Sequence, residues 1–330
     1  MPLTLAQAKV GLADKIDQTV IDEFRRDSFI LDKLTFDNAV SPGTGGSTLT
    51  YGYTQLLTPS VAEGRKINSE YTAGEAIRTT KAINLKIFGG AFEVDRVLEG
   101  TAAKSEISFQ LQQKSKATSN KFHYDFINGK STKNGKADTD NTPFDGLDAL
   151  CTGLSTEYKP TEAVDLSTVD AIKTNAEAFT FQMDTWLATL SQKPDALLCN
   201  SKMATALKYV AKLMGYYTRG KDDFGKGVDA YDGIPIVDMG RYYDGSSHKT
   251  VDVVGTDAKT GTTAIYAVCF GLDALHAVSP KGGKIINTYL PNLSQPGAVK
   301  KGEVEMVAGI VLKDSTKAGV FRNIKVAATA

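Results

Sequence analysis

Apolar and polar positions alternate strictly along two segments near the start of the chain. Every second side chain is large or apolar over residues 48–57, and the same period returns over residues 77–87. Period-two alternation with many β-branched and aromatic residues is typical of β-strands. Each strand would extend roughly 36 Å at ~3.3 Å per residue, and the connection over residues 58–76 is polar and charged. A two-stranded hairpin of this length cannot bury both faces by itself, so we expect a neighbouring subunit to support it.

The period changes to that of a helix after the hairpin. Apolar residues recur at spacings of three and four over residues 97–128, which predicts a helix of roughly 48 Å at ~1.5 Å per residue. Ser115 and Thr118 interrupt its apolar stripe, as expected for a spine that is only partly buried. Before the hairpin, residues 3–36 are predicted to form an arm with helical pieces, which the glycine-rich stretch 42–46 ends.

Residues 143–278 have the pattern of an α/β lobe. A short strand is predicted over residues 147–150, and a helix follows Ser167, with Asp170 as part of a capping box. The stripe of that helix could indicate a coiled coil, but it covers only about three heptads, and a helix packed on a sheet fits better. The remaining elements are a strand at 196–199, a helix started by Asn200, a glycine-rich loop over 215–233, and strands at 234–239 and 264–270. The last residues predict three more strands, at 284–289, 303–312 and 320–326.

The composition of the chain argues against several classes of protein. The chain has 330 residues, with 38 Lys and Arg against 38 Asp and Glu, and 42% of it is hydrophobic. Disordered proteins are less hydrophobic and more highly charged, and a strongly nucleic-acid-binding domain carries a basic excess. No run approaches the ~18 apolar residues of a membrane span, and the first twenty residues lack the pattern of a signal peptide. We therefore expect a protein that is neither exported nor membrane-bound.

The neutral total hides charged blocks. Residues 137–200 hold eleven acids and three bases, residues 101–136 hold seven bases and two acids, and residues 280–330 hold eight bases and three acids. These blocks are either solvated faces or acidic and basic surfaces that meet between copies of the chain and steer their assembly. The sequence leaves both interpretations open.

Patterns that carry catalytic or metal chemistry are weak. Gly215–Asp222 and Gly220–Gly227 match the spacing of a phosphate-binding loop, but they lack its Ser or Thr and follow a helix where the motif needs a strand. His123, His248 and His276 stand alone in sequence, which disfavours a metal site. Three widely spaced cysteines predict buried, reduced thiols. We expect no enzyme, catalytic residue, metal or cofactor, and a nucleotide-dependent enzyme that uses the glycine-rich loop stays a minor alternative.

The order of these parts resembles the major capsid protein family of tailed bacteriophages, whose fold is the Hong Kong-97 fold. The arm, the hairpin over residues 47–88 and the helix over residues 97–128 are similar to the family's N-arm, E-loop and spine helix. The further resemblance lies in Pro194–Ser201 (PDALLCNS), Tyr231–Asp238 (YDGIPIVD), Ala264–Gly271 (AIYAVCFG), Val304–Leu312 (VEMVAGIVL) and residues 318–326. The resemblance implies an α+β fold with an N-terminal arm (1–46), an E-loop hairpin (47–96), a spine helix with its following loop (97–142), an A-domain (143–278) and closing P-domain strands (279–330).

The resemblance also implies a function. Copies would self-assemble into pentamers and hexamers that tile an icosahedral shell around packaged double-stranded DNA, which the shell would touch by weak non-specific contacts. The protein would lie in the virion capsid, after assembly in the host cytoplasm, with no membrane partner. Candidate assembly contacts are in the hairpin connection and the glycine-rich loop: Glu63, Arg65, Lys66, Glu70, Tyr216, Tyr217, Arg219, Asp222 and Phe224.

The chain departs from the family in two respects. Some members carry a scaffold-like N-terminal domain, but only 46 residues precede the hairpin here, so a separate scaffolding protein is the expected partner, together with a portal protein. Some members join an E-loop Lys to an Asn of a neighbour, but no motif aligns Lys66 and Asn323 with such a pair, and we expect no covalent link. Because bacterial nanocompartment shells share this fold, such a shell is the alternative function; a tail-tube or decoration protein fits less well.

Overall fold

The described part of the chain contains two larger sheets, three two-stranded sheets and, from residue 28 onward, six α-helices. The computed structural model describes residues 15–16, 18–20, 28–40, 49–58, 60–101, 106–133, 136–137, 144–221, 227–245, 247–280 and 285–328. The helices are α1 (Phe29–Lys33), α2 (Arg96–Thr101), α3 (Glu106–Asn128), α4 (Leu147–Cys151), α5 (Val169–Leu187) and α6 (Ser201–Met214). None of them, within the described residues, is long and apolar enough to cross a membrane.

The first sheet is built around one long strand. Its members are β1 (Phe36–Val40), β4 (Lys86–Asp95), β16 (Leu275–Pro280), β17 (Ile286–Tyr289) and β18 (Val299–Leu312). Strand β18 pairs antiparallel with β4 and β17 along its first half and with β16 along its second half. Strand β1 pairs parallel with β16 and extends the sheet on that side.

The second sheet has the order β10–β11–β12–β9–β15–β19–β7, and β8 also pairs with β19. Its strands are β7 (Glu157–Tyr158), β8 (Val164–Asp165), β9 (Ala196–Cys199), β10 (Tyr217–Lys221), β11 (Gly227–Tyr231), β12 (Ile234–Asp238), β15 (Thr262–Val268) and β19 (Ala318–Lys325). Three small two-stranded sheets remain, formed by β2 (Thr50–Thr58) with β3 (Ile77–Asn84), β5 (Thr132–Lys133) with β6 (Lys136–Ala137), and β13 (Arg241–Asp244) with β14 (Lys249–Asp252).

The spine helix α3 packs against the first sheet through aromatic rings. The ring of Phe88 on β4 lies 5.5 Å from that of Phe122 on α3 and 6.2 Å from that of Phe144. The carboxylate of Asp125, which is fully buried, accepts from Lys86 Nζ at 2.7 Å and from Lys121 Nζ at 3.0 Å. Because this acid has two cations, its burial is compensated, and it ties the helix to the strand that leaves the hairpin.

The arm joins the same core. Ile30, Leu31 and Leu34 are buried there, and Ser28 Oγ is hydrogen-bonded to Nε2 of the buried His123 on α3. Ser28 also caps α1, since its hydroxyl accepts from Leu31 N at 3.0 Å.

The second core lies between the second sheet and helices α5 and α6. The rings of Phe179 and Trp186 on α5 are each 5.7 Å from that of Phe321 on β19. Asn200 caps α6, since its Oδ1 accepts from Met203 N at 2.9 Å. The predicted role of Asn200 is therefore confirmed, and so is the packing of the predicted helix on a sheet.

Four sequence predictions need correction. Residues 147–150 form helix α4 and not a strand, because a short apolar run has no period that separates the two. The segment predicted as a glycine-rich loop over 215–233 contains two strands: β10 and β11 pair with each other, and β11 pairs with β12. The cap of α5 is Thr168, which accepts from Ala171 N at 3.2 Å, whereas Ser167 binds Asp165.

The fourth correction concerns the predicted single spine helix, which is two helices. The Glu99 carboxylate in α2 accepts from the main-chain N–H groups of Glu106 and Ile107 at 2.9 and 3.2 Å. Side-chain acceptors of this kind satisfy the first N–H groups of a helix, so α3 has its own start at Glu106. The domain boundaries given above remain a prediction, with one new fact: β19, at 318–325, lies in the second sheet beside β15.

Arg322 offers a test of how the second sheet is held together. Its Nη1 lies 2.5 Å from Asp148 Oδ1 and its Nε 2.5 Å from Glu157 Oε1, which joins β19 to α4 and β7. In Arg322→Met both half-buried acids lose their cation, and we expect a loss of about 3 kcal/mol in the free energy of unfolding. The matched control Arg241→Met breaks an exposed pair with Asp252 and should cost below about 1 kcal/mol. Urea unfolding of unassembled subunits measures both, and equal losses would contradict the assignment.

The two buried histidines predict loss of stability in acid. Burial lowers the pKa of His123 and of His276 from 6.5 to about 4. The unfolded state binds these protons at a higher pH than the folded state does. The stability that the two neutral histidines contribute is therefore complete above about pH 6.5 and is lost as the pH falls towards 4. His276→Phe should retain on the order of 2 kcal/mol more of its neutral-pH stability at pH 4.5 than the wild type does. Denaturant titrations at pH 7 and 4.5 compare the two, and parallel losses would show that His276 is not responsible.

Candidate functional site

The hairpin of β2 and β3 stands apart from both sheets. These strands pair only with each other among the described strands, and residues 60–76 between them are exposed throughout. This connection, together with Ile77, carries large apolar side chains with high exposed fractions, namely Val61 (75%), Ile67 (91%), Tyr71 (63%) and Ile77 (53%). Several large apolar side chains exposed in one segment are typical of a surface that another molecule covers. The predicted hairpin is confirmed, but its strands have nine and eight residues where about eleven were expected, because the second ends at Asn84 and residues 86–87 pair with β18 as part of β4.

The root of the hairpin is anchored on the first sheet. Tyr53 and Leu85 are buried against Val278 of β16 and Val311 of β18. Gln55 Nε2 donates to Leu312 O at 3.3 Å. The hairpin is therefore held at its base and unsupported beyond it.

A tyrosine beside the root is tied to the arm. The hydroxyl of Tyr51 donates to Asp37 Oδ2 of β1 at 3.0 Å. Burial, with this carboxylate beside it, raises the pKa of Tyr51 to about 12, so the hydroxyl keeps its proton and remains a donor. The hairpin base, the arm and the first sheet thus share one set of contacts.

Four of the predicted contact residues lie in the exposed connection: Glu63, Arg65, Lys66 and Glu70. Arg65 Nη1 donates to Ser69 O at 3.3 Å, and its guanidinium lies 5.4 Å from the centre of the Tyr71 ring. Asn68, with φ at 67°, makes the turn between them. These contacts are all local, so they shape the tip and leave its surface open.

The other predicted contacts lie on the β10–β11 hairpin or outside the described residues. Tyr217 is engaged within the chain: its hydroxyl donates to Asp229 Oδ1 at 2.6 Å, and Lys212 Nζ lies 4.9 Å from its ring centre. The Tyr216 ring meets the Tyr231 ring edge-on at 5.5 Å, and Arg219 is exposed. Asp222 and Phe224 lie outside the described residues. Tyr217 is therefore held by contacts within the subunit, Arg219 lies at the surface, and the role of both as assembly contacts stays a prediction.

Sequence reasoning missed exposed apolar residues on the two helices of the second core. Phe181 on α5 is 74% exposed, and Leu213 on α6 is 46% exposed. Phe181 falls outside the three-and-four stripe that predicts the buried face of α5. The sequence could have indicated this exposure, because an aromatic residue outside the buried stripe of a helix is expected to lie on its solvent-facing side.

The chemical groups that a catalytic or metal site would use are buried or scattered. All three cysteines are buried, and burial raises the pKa of Cys151 to about 12. Within the described ranges, no group of three or more His, Cys, Asp or Glu side chains is placed to hold a metal ion. The segment after Gly215 forms strands β10 and β11, whereas a phosphate-binding loop has a strand before it and a helix after it. Residues 222–226, which make up most of the second GxxxxGK match, lie outside the described residues.

Comparison with protein-family models found no match, and no curated protein matched the chain. Solved structures did match. A holo-SrpI encapsulin complex from Synechococcus elongatus PCC 7942 has a TM-score of 0.56 at 12% identity, over 87% of this chain and 86% of that one. The capsid of Myoviridae phage XM1 has a TM-score of 0.50 at 12% identity, over 90% and 91% of the two chains.

These likenesses extend over most of each chain, and at such low identity they show the fold alone. They agree with the arrangement described above, in which a long hairpin precedes a spine helix and two sheets carry the remaining elements. The α+β architecture expected from the sequence is therefore confirmed, and the chain has the Hong Kong-97 fold.

Proposed function

We propose that this chain is a structural subunit that assembles with copies of itself into a closed shell, and that it is the major capsid protein of a tailed bacteriophage. The observation that carries the proposal is the hairpin of β2 and β3, which is anchored at its root and exposed at its tip. Within one subunit its apolar side chains stay in water. Burial against a neighbour would contribute about 1.5–3 kcal/mol for each large side chain.

The finer features of the proposal follow the family resemblance. The subunits form pentamers and hexamers of an icosahedral shell around packaged double-stranded DNA, with a scaffolding protein and a portal protein as partners during assembly in the host cytoplasm. The zero formal charge of the chain suits a container, because many phosphate contacts would bind DNA strongly and in a salt-dependent way. We propose no catalytic activity for the subunit.

A nanocompartment shell is the second candidate function. The observation that supports it is that an encapsulin complex matches this fold (TM-score 0.56) as a phage capsid does (TM-score 0.50), so one fold serves both kinds of shell. The two functions share the shell and differ in its contents. The shell's size and contents therefore separate them.

Electron microscopy of the protein, expressed alone and together with its genomic neighbours, tests the proposal. We expect closed shells, tubes or capsomer rings. Shells that take up DNA in the presence of the neighbouring genes support the capsid, and shells that enclose a co-expressed enzyme support the nanocompartment. A compact monomer under every condition, even with a scaffolding gene supplied, would overturn both.

A shortened hairpin separates folding from assembly. Thr58 and Ile77 are the last Cα partners of the hairpin, after a one-residue register shift at Leu57, so residues 59–76 can be replaced by Asn-Gly, which favours a two-residue hairpin turn. We expect the subunit to keep its melting temperature, because the contacts described in the tip are local, while the concentration needed for assembly rises at least about tenfold. Sedimentation velocity and thermal melting measure the two effects.

Ile67→Asp is the narrower version of this experiment and should weaken assembly in the same direction. Ile67→Leu, which keeps the apolar area, is its control and should assemble normally. Unchanged assembly of the shortened protein would show that the tip is not an assembly contact.

A further inference from the structure

His276 lies in the layer between the first sheet and the root of the hairpin. It is the cross-strand partner of Val311, and the two partners of an antiparallel pair have their side chains on the same face of the sheet. Val311 is buried under Tyr53 of the hairpin, whereas Ala277, the next residue along β16, belongs to the core on the α3 side. The imidazole of His276 therefore faces the hairpin and points away from the spine helix.

This imidazole is buried without the hydrogen bonds that a buried polar group normally makes. Its Nδ1 has one long contact, 3.4 Å to Ala274 O, which is beyond the roughly 2.7–3.2 Å of an ordinary N–H···O bond. Within the described residues, Nε2 has no hydrogen-bond partner. Buried polar atoms of this kind are rare and call for an explanation. A proton bound at Nε2 would place a charged N–H group without an acceptor in an apolar layer, which is costly.

The arm, the hairpin and the first sheet each bring titratable groups to this imidazole. The ring of Tyr51 on β2 meets it edge-on at 6.4 Å, and Lys313, which follows β18, has its Nζ 6.0 Å from the centre of that ring. The carboxylates that act on the imidazole are those of Asp37 on β1 and Asp273 before β16. Asp273 is paired with Lys317, whereas Asp37 accepts from the Tyr51 hydroxyl at 3.0 Å. Asp37 is therefore the acid whose partner is a neutral hydroxyl, which a cation can replace.

We propose that His276 is a proton-controlled latch on the root of the hairpin. With the imidazole neutral, the root is closed on the first sheet and Tyr51 is tied to the arm through Asp37. When Nε2 binds a proton from solvent, the Asp37 carboxylate turns to the imidazolium, the Tyr51 hydroxyl loses its acceptor, and the root opens. The strands of the first sheet stay paired. The inference concerns a single subunit and holds whether or not copies of it form a shell.

The difference in proton affinity between the closed and the open root sets the size of the effect. In the closed root, burial and the nearby Lys313 ammonium lower the pKa of His276 to about 4, whereas an imidazole in contact with water has a pKa of about 6.5. The open root therefore binds the proton more tightly, so the latch is closed above about pH 6.5 and is released as the pH falls towards 4. With these two values, the fraction of open roots rises about twentyfold between pH 7 and pH 5.

Hydrogen–deuterium exchange of the dilute, unassembled subunit tests the latch. Peptides that cover β2 and β3 should exchange about twentyfold faster at pH 5 than at pH 7, after correction for the intrinsic rate, because exchange follows local opening. Peptides of α5 and the fluorescence of Trp186, which is buried in the second core, should stay unchanged. His276→Phe keeps an aromatic ring without the proton site, and its hairpin should stay protected at pH 5. Tyr51→Phe removes the tie to Asp37, and its hairpin should exchange faster already at pH 7.

His248→Asn is the matched control, because it removes an exposed histidine between β13 and β14 where φ is 53°, and Asn tolerates a positive φ. It should exchange like the wild type at both pH values. A wild-type hairpin that is equally protected at pH 7 and pH 5, or one that loosens equally in His276→Phe, would overturn the latch.

The wild type alone decides the question if His276→Phe does not fold. Loosening of the hairpin while α5 stays protected supports the latch, whereas loosening of both together is general unfolding in acid and rejects it. None of these measurements involves assembly, so a negative result leaves the proposed shell function untouched.

Discussion

The rest of the fold depends on the pairing of one strand. Strand β18 is 14 residues long, and it joins β4 and β17 at one end to β16 at the other. Val311, near its end, is buried under the root of the hairpin, and Gln55 of the hairpin donates to Leu312 O. One continuous strand thus fixes where the hairpin leaves the body and where the strand after it returns. Changes in its register would move both.

Glycine makes this crossing possible. A Cβ at Gly309 would lie 3.1 Å from both Ile83 Cδ1 and Leu85 Cδ2, and a Cβ at Gly302 would lie 2.5 Å from the ring of Phe92. The hairpin base and the aromatic core can approach β18 this closely because those two positions carry no side chain. The close packing rigidifies the root. It contrasts with the tip, where contacts between residues 65 and 71 are local.

The sequence was a good guide where one period runs over many residues. The hairpin strands, α5 and the long strand β18 each repeat their pattern far enough to separate strand from helix. Prediction from the sequence failed where pairing with another strand determines the secondary structure. Strands β10 and β11 are an example, because they pair with each other and β11 pairs with β12. The candidate contact residues likewise fall into those that the sequence alone can mark and those whose partners only the fold reveals. The polar hairpin connection marks Arg65 and Lys66 by composition alone, whereas the engagement of Tyr217 by Asp229 depends on a neighbouring strand that periodicity does not reveal.

The charge blocks gain a meaning from the fold that the linear chain does not give them. Several acids of residues 137–200 already have partners within the chain: Asp148 and Glu157 bind Arg322, and Asp165 lies 3.3 Å from Lys325. The acids that remain at the surface of α5 are therefore a selected subset, gathered on one helix face by its 3.6-residue period. The acidic block over residues 137–200 is therefore not one continuous charged surface, because part of its charge is paired inside the subunit.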